Sequence, residues 1–329
     1  MSLERLDPTN PDPAVIARAA TLLREGRLVA FPTETVYGLG ANALDPAAVE
    51  RIYVAKGRPA YNPLIVHIAD PSQAMDVARA WNDRAERLAR AFWPGPLTLV
   101  LPKRPEVPDS VTAGLDTVGV RVPRHPVAHA LLAAAKIPVA APSANRSTQV
   151  SPTTGDHVAK SLGDAVDLIL DAGPTAVGIE STVLDLSGAT PTLLRPGTIS
   201  VPELESIAGP IAIATEASGE SARPSPGMLD KHYAPRARLV LADARDVGLR
   251  VEQERRRART VGAIVISATL QSTPTVFRMP SDARGYAARL YDTLHALDDS
   301  GCDVIVVERV PESAEWLGVA DRLRRAQSG

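Results

Sequence analysis

The stretch AKGRPAYNPL, Ala55 to Leu64, places a cation on either side of one glycine. Lys56 and Arg58 stand where a helical pattern gives way to a proline-rich turn, and an apolar strand pattern, Leu64–Ile68, follows. Arginine presents a planar fork of donors and lysine a compact point charge, a pair suited to a polyphosphate. Loops at strand ends are also where α/β sheets bind ligands. The competing reading is local: cations at a helix C-terminus favour its dipole by about 0.3–1 kcal/mol and need no ligand.

Other polar groups interrupt apolar strand patterns. His67 lies on Leu64–Ile68, and Arg121 sits between Val120 and Val122. An arginine inside a strand needs a partner, either a structural carboxylate or the carboxylate of a substrate. The strand pattern Pro138–Ala141 ends in Pro142-Ser143-Ala144-Asn145, and a run of serine and threonine continues to Ser151. Such side chains can close their own turns or line a binding site. GIESTVLDL and LLRPGTIS add Ser181, Thr182 and Arg195. Upstream, Pro32–Gly40 is nearly free of charge yet holds two threonines, a glutamate, a tyrosine and two glycines. It reads as too polar for a core strand, with glycines that allow positive φ or close approach to another molecule.

Several chemistries lack their signatures. The Walker pattern is absent, and Gly38-Leu-Gly40-Ala-Asn-Ala43 fits GxGxxA without the acidic residue that a dinucleotide fold requires. No His, Cys or Asp cluster has metal-ligand spacing, and no nucleophile elbow appears. What remains is a set of cations and hydroxyls around a substrate that brings its own reactive atoms. That is the profile of phosphoryl or nucleotidyl transfer, with Mg²⁺ carried in by the substrate's phosphates.

The elements that must position these residues follow from periodicity. Pro13–Glu25 is helical and is followed by a buried strand over Arg27–Phe31. Asp45 before Pro46 is an N-cap with proline at the first helical position, and Gly57 and Pro59 stop that helix. Pro71–Ala91 reads as helix in two pieces. Leu97–Leu101, Val118–Val122, Leu168–Asp171, Ser181–Leu186 and Thr192–Arg195 read as strands; His125–Lys136 and Thr153–Leu162 read as helices. Several strands follow one another directly, which predicts α/β with a mixed, twisted sheet flanked by helices. After a proline-rich stretch, strands and helices alternate from Arg238 to Arg325 and predict a smaller Rossmann-like α/β domain. The expected division is 1–212, a linker over 213–236, and 237–329. The basic run EQERRRAR reads as a solvated helix face with Glu252 and Arg256 at i,i+4 spacing.

The 329 residues are 45% hydrophobic but only 4% aromatic, so the cores must be aliphatic. A formal net charge of −2 gives no whole-molecule field that announces a nucleic acid or a membrane. One cysteine, Cys302, excludes an intrachain disulfide framework. The start, MSLERLDPTNPDP, has no apolar core, and no apolar run has the length of a span; the expected location is cytoplasmic, with no membrane partner.

Taken in order, PTETVYGLG, KGRPAYNPL, VGVRVP, APSAN, GIESTV, LRPG and SPGMLDKHYAP closely resemble the YrdC-like family in its two-domain form. The resemblance spans about two thirds of the chain, and the ordered set is specific where any one motif is not. It implies synthesis of threonylcarbamoyl-AMP from L-threonine, bicarbonate and ATP with release of pyrophosphate. The product would pass to the proteins that transfer the group to tRNA, and a weak direct contact with tRNA is left open. The family pattern would place Thr35, His67, Arg121, Ala141 and Ser181 around threonine. It would place Lys56, Arg58, Asn62, Thr117, Ser143, Asn145, Ser151 and Arg195 around ATP, with Tyr233 of the linker closing over the nucleotide. Lys56, Arg58 and Arg195 would be the catalytic cations. Leu229 departs from the pattern, where a basic residue is frequent, and Lys231 stands close by. Two alternatives are a carbamoyl-adenylate-forming maturation enzyme and a non-catalytic RNA-binding module. A single cysteine and few aromatics speak against them.

Overall fold

Asp45 accepts hydrogen bonds from the Ala47 and Ala48 amides, Pro46 takes the first helical position, and Gly57 ends the helix at φ +57°. The helix Pro46–Lys56 therefore delivers Lys56 and Arg58 on a fixed turn, and the computed structural model shows the same kind of local determination elsewhere. It describes residues 2–214 and 232–327. The expected linker and Lys231 lie largely or wholly outside the described residues, as does Leu229.

The strands β1 (Ser2–Arg5), β2 (Val29–Phe31), β3 (Gly38–Asn42), β4 (Ile65–His67), β5 (Leu97–Pro102), β6 (Thr117–Arg121), β7 (Val139–Ala140), β8 (Leu168–Asp171), β9 (Thr182–Asp185), β10 (Thr192–Arg195) and β11 (Ala212–Ile213) form one sheet. Their order is β1-β8-β2-β3-β7-β4-β6-β5-β9-β10-β11. Pairing is mixed: β4 with β6 and β5 with β9 are parallel, whereas β2 with β3 and β5 with β6 are antiparallel. The helices are α1 (Pro13–Arg24), α2 (Pro46–Lys56), α3 (Asp83–Phe92), α4 (Asp109–Thr112), α5 (Pro126–Ala135), α6 (Gly155–Leu162) and α7 (Val201–Ala208). Two aliphatic cores result. Leu23 of α1 and Leu131 of α5 pack with Phe31 and Leu168 in one, while Ile52 of α2, Leu88 of α3 and Val158 of α6 pack with Leu39, Leu99 and Val120 in the other. Burying such side chains contributes roughly 1.5–3 kcal/mol each.

One expectation fails here. The run Pro32–Gly40, read as too polar for a core strand, ends inside β3, which is paired on both sides and almost wholly buried. Its glycines do not take positive φ. They make room for Phe31: a Cβ at Gly40 would lie 2.8 Å from the Phe31 ring. Tyr37 of the same run is buried and donates its hydroxyl hydrogen to Asp171 at 2.9 Å or to the Gly173 carbonyl at 2.7 Å. The polar residues thus fix a turn and a strand start. β1, β11 and α7 carried too little periodicity to be read from sequence.

A second sheet, β12 (Arg238–Ala242), β13 (Val261–Val265), β14 (Val276–Arg278) and β15 (Val304–Glu308), is all parallel in the order β12-β15-β13-β14. It packs with α8 (Val247–Arg256), α9 (Ala283–Asp299) and α10 (Leu317–Gln327). At the end of β15, the Glu308 carboxylate accepts the amides of Ile266, Ser267 and Ala268 at 2.7, 3.0 and 2.9 Å. On α8 the Glu252–Arg256 pair is exposed as expected, at 3.7 Å. Glu254 is fully buried and gathers Arg238, Arg250, Arg257 and Arg259.

The two domains meet through glycine. A Cβ at Gly178, where φ is +80°, would sit 2.3 Å from the Ala287 carbonyl oxygen of α9. A Cβ at Gly318 of α10 would sit 2.4 Å from the Gly197 carbonyl oxygen. Such backbone approach tolerates no side chain. Among the described residues no helix is long and apolar enough to cross a membrane.

Candidate active site

The cavity at this junction is built from the loop before β3, the C-terminal ends of β4 and β6, the turn after β7 and the start of β9. Thr33 anchors the first loop by donating its hydroxyl hydrogen to the Val36 carbonyl at 2.6 Å. That places Thr35 Oγ1 to accept from Arg121 Nη1 at 2.9 Å. His67 and Arg121 are register partners on adjacent parallel strands, so both reach the same end of the sheet.

Of the residues expected around threonine, Thr35, His67, Arg121, Ala141 and Ser181 all line this one cavity. Arg58, Ser143, Arg195 and Tyr233 of the nucleotide set line it too. Burial and the Arg121 charge hold His67 down to about 3, so its ring is neutral, and Nδ1 lies 3.2 Å from the Ile65 carbonyl oxygen. The Ala141 amide donates to the Ile65 carbonyl at 2.9 Å. Ser181 Oγ lies 2.8 Å from Thr98 Oγ1 and accepts from Arg195 Nη2 at 3.1 Å. Arg195 also donates Nε–H to the Ser181 carbonyl at 3.1 Å. Arg58 donates to the carbonyls of Asn62 and Pro63, and burial lowers its pKa to about 10.

The remaining expected nucleotide residues lie outside that lining. Lys56 is buried, and its ammonium donates to the carbonyls of Ser143 and Asn145, with burial and Arg58 lowering its pKa. It organises the APSAN turn instead of facing the cavity. Asn145 donates Nδ2–H to Arg146 or Gln149, and Ser151 donates to Glu180 at 2.5 Å. Asn62 is buried, and neither its side-chain nitrogen nor its side-chain oxygen has a hydrogen-bond partner among the described residues. Thr117 begins β6, four residues and about 13 Å along the strand from Arg121.

Of the two partners the sequence allowed for Arg121, the structural carboxylate is present. Glu34 Oε1 lies 2.8 Å from its Nη2, and Gly95 accepts from its Nε at 3.2 Å. Buried arginines require buried anions, and Glu34, Glu180 and Asp321 supply them. Sequence reading passed over all three. The available signal was the lone acid inside each otherwise uncharged motif, PTETV and GIESTV. Burial pushes the Glu180 pKa up, but Arg322 and Arg195 outweigh it and hold the carboxyl at about 2. His232 also lines the cavity, neutral through burial, with a pKa of about 3. Tyr233 adopts φ +59°, and the Ala234 amide beside it donates to the Thr148 carbonyl, where φ is +69°. These strained residues pin the returning chain against the first domain.

Comparison with known proteins places this geometry. The Sua5/YciO/YrdC family model, described as "Telomere recombination", matches residues 21–197. The Sua5 C-terminal model, described as "Threonylcarbamoyl-AMP synthase, C-terminal domain", matches residues 199–328. The chain belongs to the two-domain Sua5/YrdC family. A Pyrococcus abyssi relative in this family, named threonylcarbamoyl-AMP synthase, is 46% identical over 94% of this chain and 92% of its own. A Bacillus subtilis relative of the same name is 44% identical over 95% of this chain and 93% of its own. The crystal structure of P. abyssi Sua5 complexed with L-threonine superposes with a TM-score of 0.94 at 42% identity, covering 99% of this chain and 98% of that one. The YrdC-like resemblance read from the motifs holds, and so does the α/β architecture with a smaller second domain read from periodicity.

Proposed function

We propose that the chain synthesises threonylcarbamoyl-AMP. The observation that carries this reading is the single cavity in which Thr35, His67, Arg121 and Ser181 meet Arg58, Ser143 and Arg195. Its lining offers the buried Arg121 guanidinium with the hydroxyls of Thr35 and Ser181, suited to an α-carboxylate and a β-hydroxyl, and two further guanidinia, Arg58 and Arg195, suited to phosphates.

The reaction is assembled from groups the substrates bring. The amine of L-threonine adds to CO₂, in equilibrium with bicarbonate, and loses a proton to give a carbamate. A carbamate oxygen attacks the α-phosphorus of ATP; the new P–O bond forms as the bond to the β-phosphate oxygen breaks, and pyrophosphate leaves. Arg58 and Arg195 would stabilise the charge that builds on the phosphate oxygens. Arg121 would hold the carboxylate so that the carbamate faces phosphorus. Among the described residues no group of acids is arranged to hold a metal, and the buried carboxylates of Glu34 and Glu180 are engaged by arginine. Mg²⁺ would therefore be held by the ATP phosphates and water and would neutralise phosphate charge. The product would be consumed by an acyl transfer to tRNA carried out by separate proteins.

The test is pyrophosphate release with L-threonine, bicarbonate and Mg²⁺–ATP, with the adenylate product followed by chromatography. Turnover that requires all three substrates supports the reading; turnover with carbamoyl phosphate in place of threonine and bicarbonate overturns it.

A further inference from the structure

The second domain reaches the cavity through one carboxylate. Glu180 lines the cavity, and its Oε1 accepts from Ser151 Oγ at 2.5 Å. Its Oε2 accepts from two groups of the second domain, Tyr291 OH at 3.0 Å and Arg322 Nε at 2.8 Å. The Arg322 side chain is wholly buried. Its Nη1 donates to the Pro196 carbonyl, next to Arg195, at 2.9 Å, and its guanidinium lies 5.0 Å from the centroid of the Tyr233 ring. Tyr233 stacks in turn on Tyr291 at 5.9 Å.

This arrangement answers an electrostatic problem. A carboxylate in the wall of a cavity suited to a polyanion repels that polyanion unless a cation is fixed beside it. Arg322 lies beside Glu180, and Asp321 accepts from its Nη1 at 2.9 Å. The same guanidinium touches the backbone that carries Arg195 and the ring that packs at the cavity edge.

We infer that Arg322 is a positioning residue supplied by the C-terminal domain: it neutralises Glu180 and aligns Ser151 and Arg195, so that the first domain binds ATP only when the second is docked. This rests on the reading of the cavity as an ATP site.

The experiment compares the full-length chain with Arg322→Met, Glu180→Gln and the double variant, by ATP calorimetry and by steady-state kinetics. Arg322→Met should weaken ATP binding by about tenfold or more while the threonine KM changes less than about threefold. Adding Glu180→Gln should recover most of that loss, because the stranded charge is removed. In Arg322→Met, ATP binding should also strengthen as pH falls from about 8 to about 6, as the stranded carboxylate takes up a proton. A purely structural arginine would give neither the rescue nor the pH response. Should Arg322→Met not fold, Tyr291→Phe, which removes one donor to Glu180, should still weaken ATP binding by about threefold. Unchanged ATP affinity in whichever single variant folds, or a loss that Glu180→Gln leaves intact, overturns the inference. A wild-type chain that binds ATP but releases no pyrophosphate overturns the proposed reaction alone, and the calorimetric comparison still decides the role of Arg322.

Discussion

Arg121 and Glu34 form an ion pair at 2.8 Å with both side chains at most 5% exposed, in the wall of a cavity that Arg121 itself lines. Glu34 also accepts the Arg124 amide at 3.1 Å, so the carboxylate ties the guanidinium to the chain just beyond β6. The arginine is therefore held in place before any ligand arrives. Removing it would leave Glu34 buried and unpaired beside the position assigned to another carboxylate. Arg121→Ala should raise the threonine KM by about tenfold or more while the ATP KM moves much less. Kinetics with each substrate varied in turn check this, and a larger effect on ATP would reassign the residue.

Arg195 donates to both the backbone and the hydroxyl of Ser181, which fixes its guanidinium in the cavity wall. Arg195→Ala should lower kcat at least about tenfold in a chain that still folds, because charge stabilisation in the transition state is lost. Near-normal pyrophosphate release would remove Arg195 from the chemistry.

Threonine should be separated from valine more sharply than from serine. A site that hydrogen-bonds a hydroxyl rejects an analogue without one, whereas a missing methyl changes binding by only about 1–3 kcal/mol. Competition assays with serine and valine should rank serine first; stronger inhibition by valine would mean that the pocket reads shape alone.

Acid should destabilise the fold through buried histidines. His67, His232 and His157 have pKa values of about 3, 3 and 4, lowered chiefly by burial. The unfolded chain binds these protons near pH 6.5, so stability is fully present above that value and is lost as pH falls toward 4. The melting temperature should fall steadily from about pH 7 to about pH 5, and His157→Gln should flatten that slope. His157 stacks on His295 of the second domain at 3.8 Å, so the loss should include weakened docking. A pH-independent melting temperature would refute this.

The glycine junction gives a test of docking that leaves the cavity side chains untouched. Gly318→Ala would drive a methyl group into the Gly197 carbonyl. The expected cost is about 1–3 kcal/mol of stability, with a fall in activity because Gly197 follows Arg195 and Pro196. Calorimetric unfolding and pyrophosphate release measure the two effects; a neutral variant would show that the domains do not need this contact.

Most of the scaffold was legible because local chemistry determined it. Asp45, Pro46 and Gly57 bound α2, and the strand patterns at Leu64–Ile68 and Val118–Val122 became β4 and β6. The cations and hydroxyls of the cavity were legible as residue types out of place. Their partners were not. Glu34 and Glu180 matter because of arginines 87 and 142 positions away, and no local pattern carries that separation. Lys56 looked like a ligand because its charge was visible and the two carbonyls that hold it were not. Gly38 and Gly40 looked like loop glycines because Phe31, which covers Gly40, lies on another strand.

Glu308 fills, with its own carboxylate, the amide cradle at the strand ends of the second domain. In sheets of this kind such a cradle is where a cofactor's phosphate would rest. A tenant supplied by the fold itself leaves that berth closed to visitors.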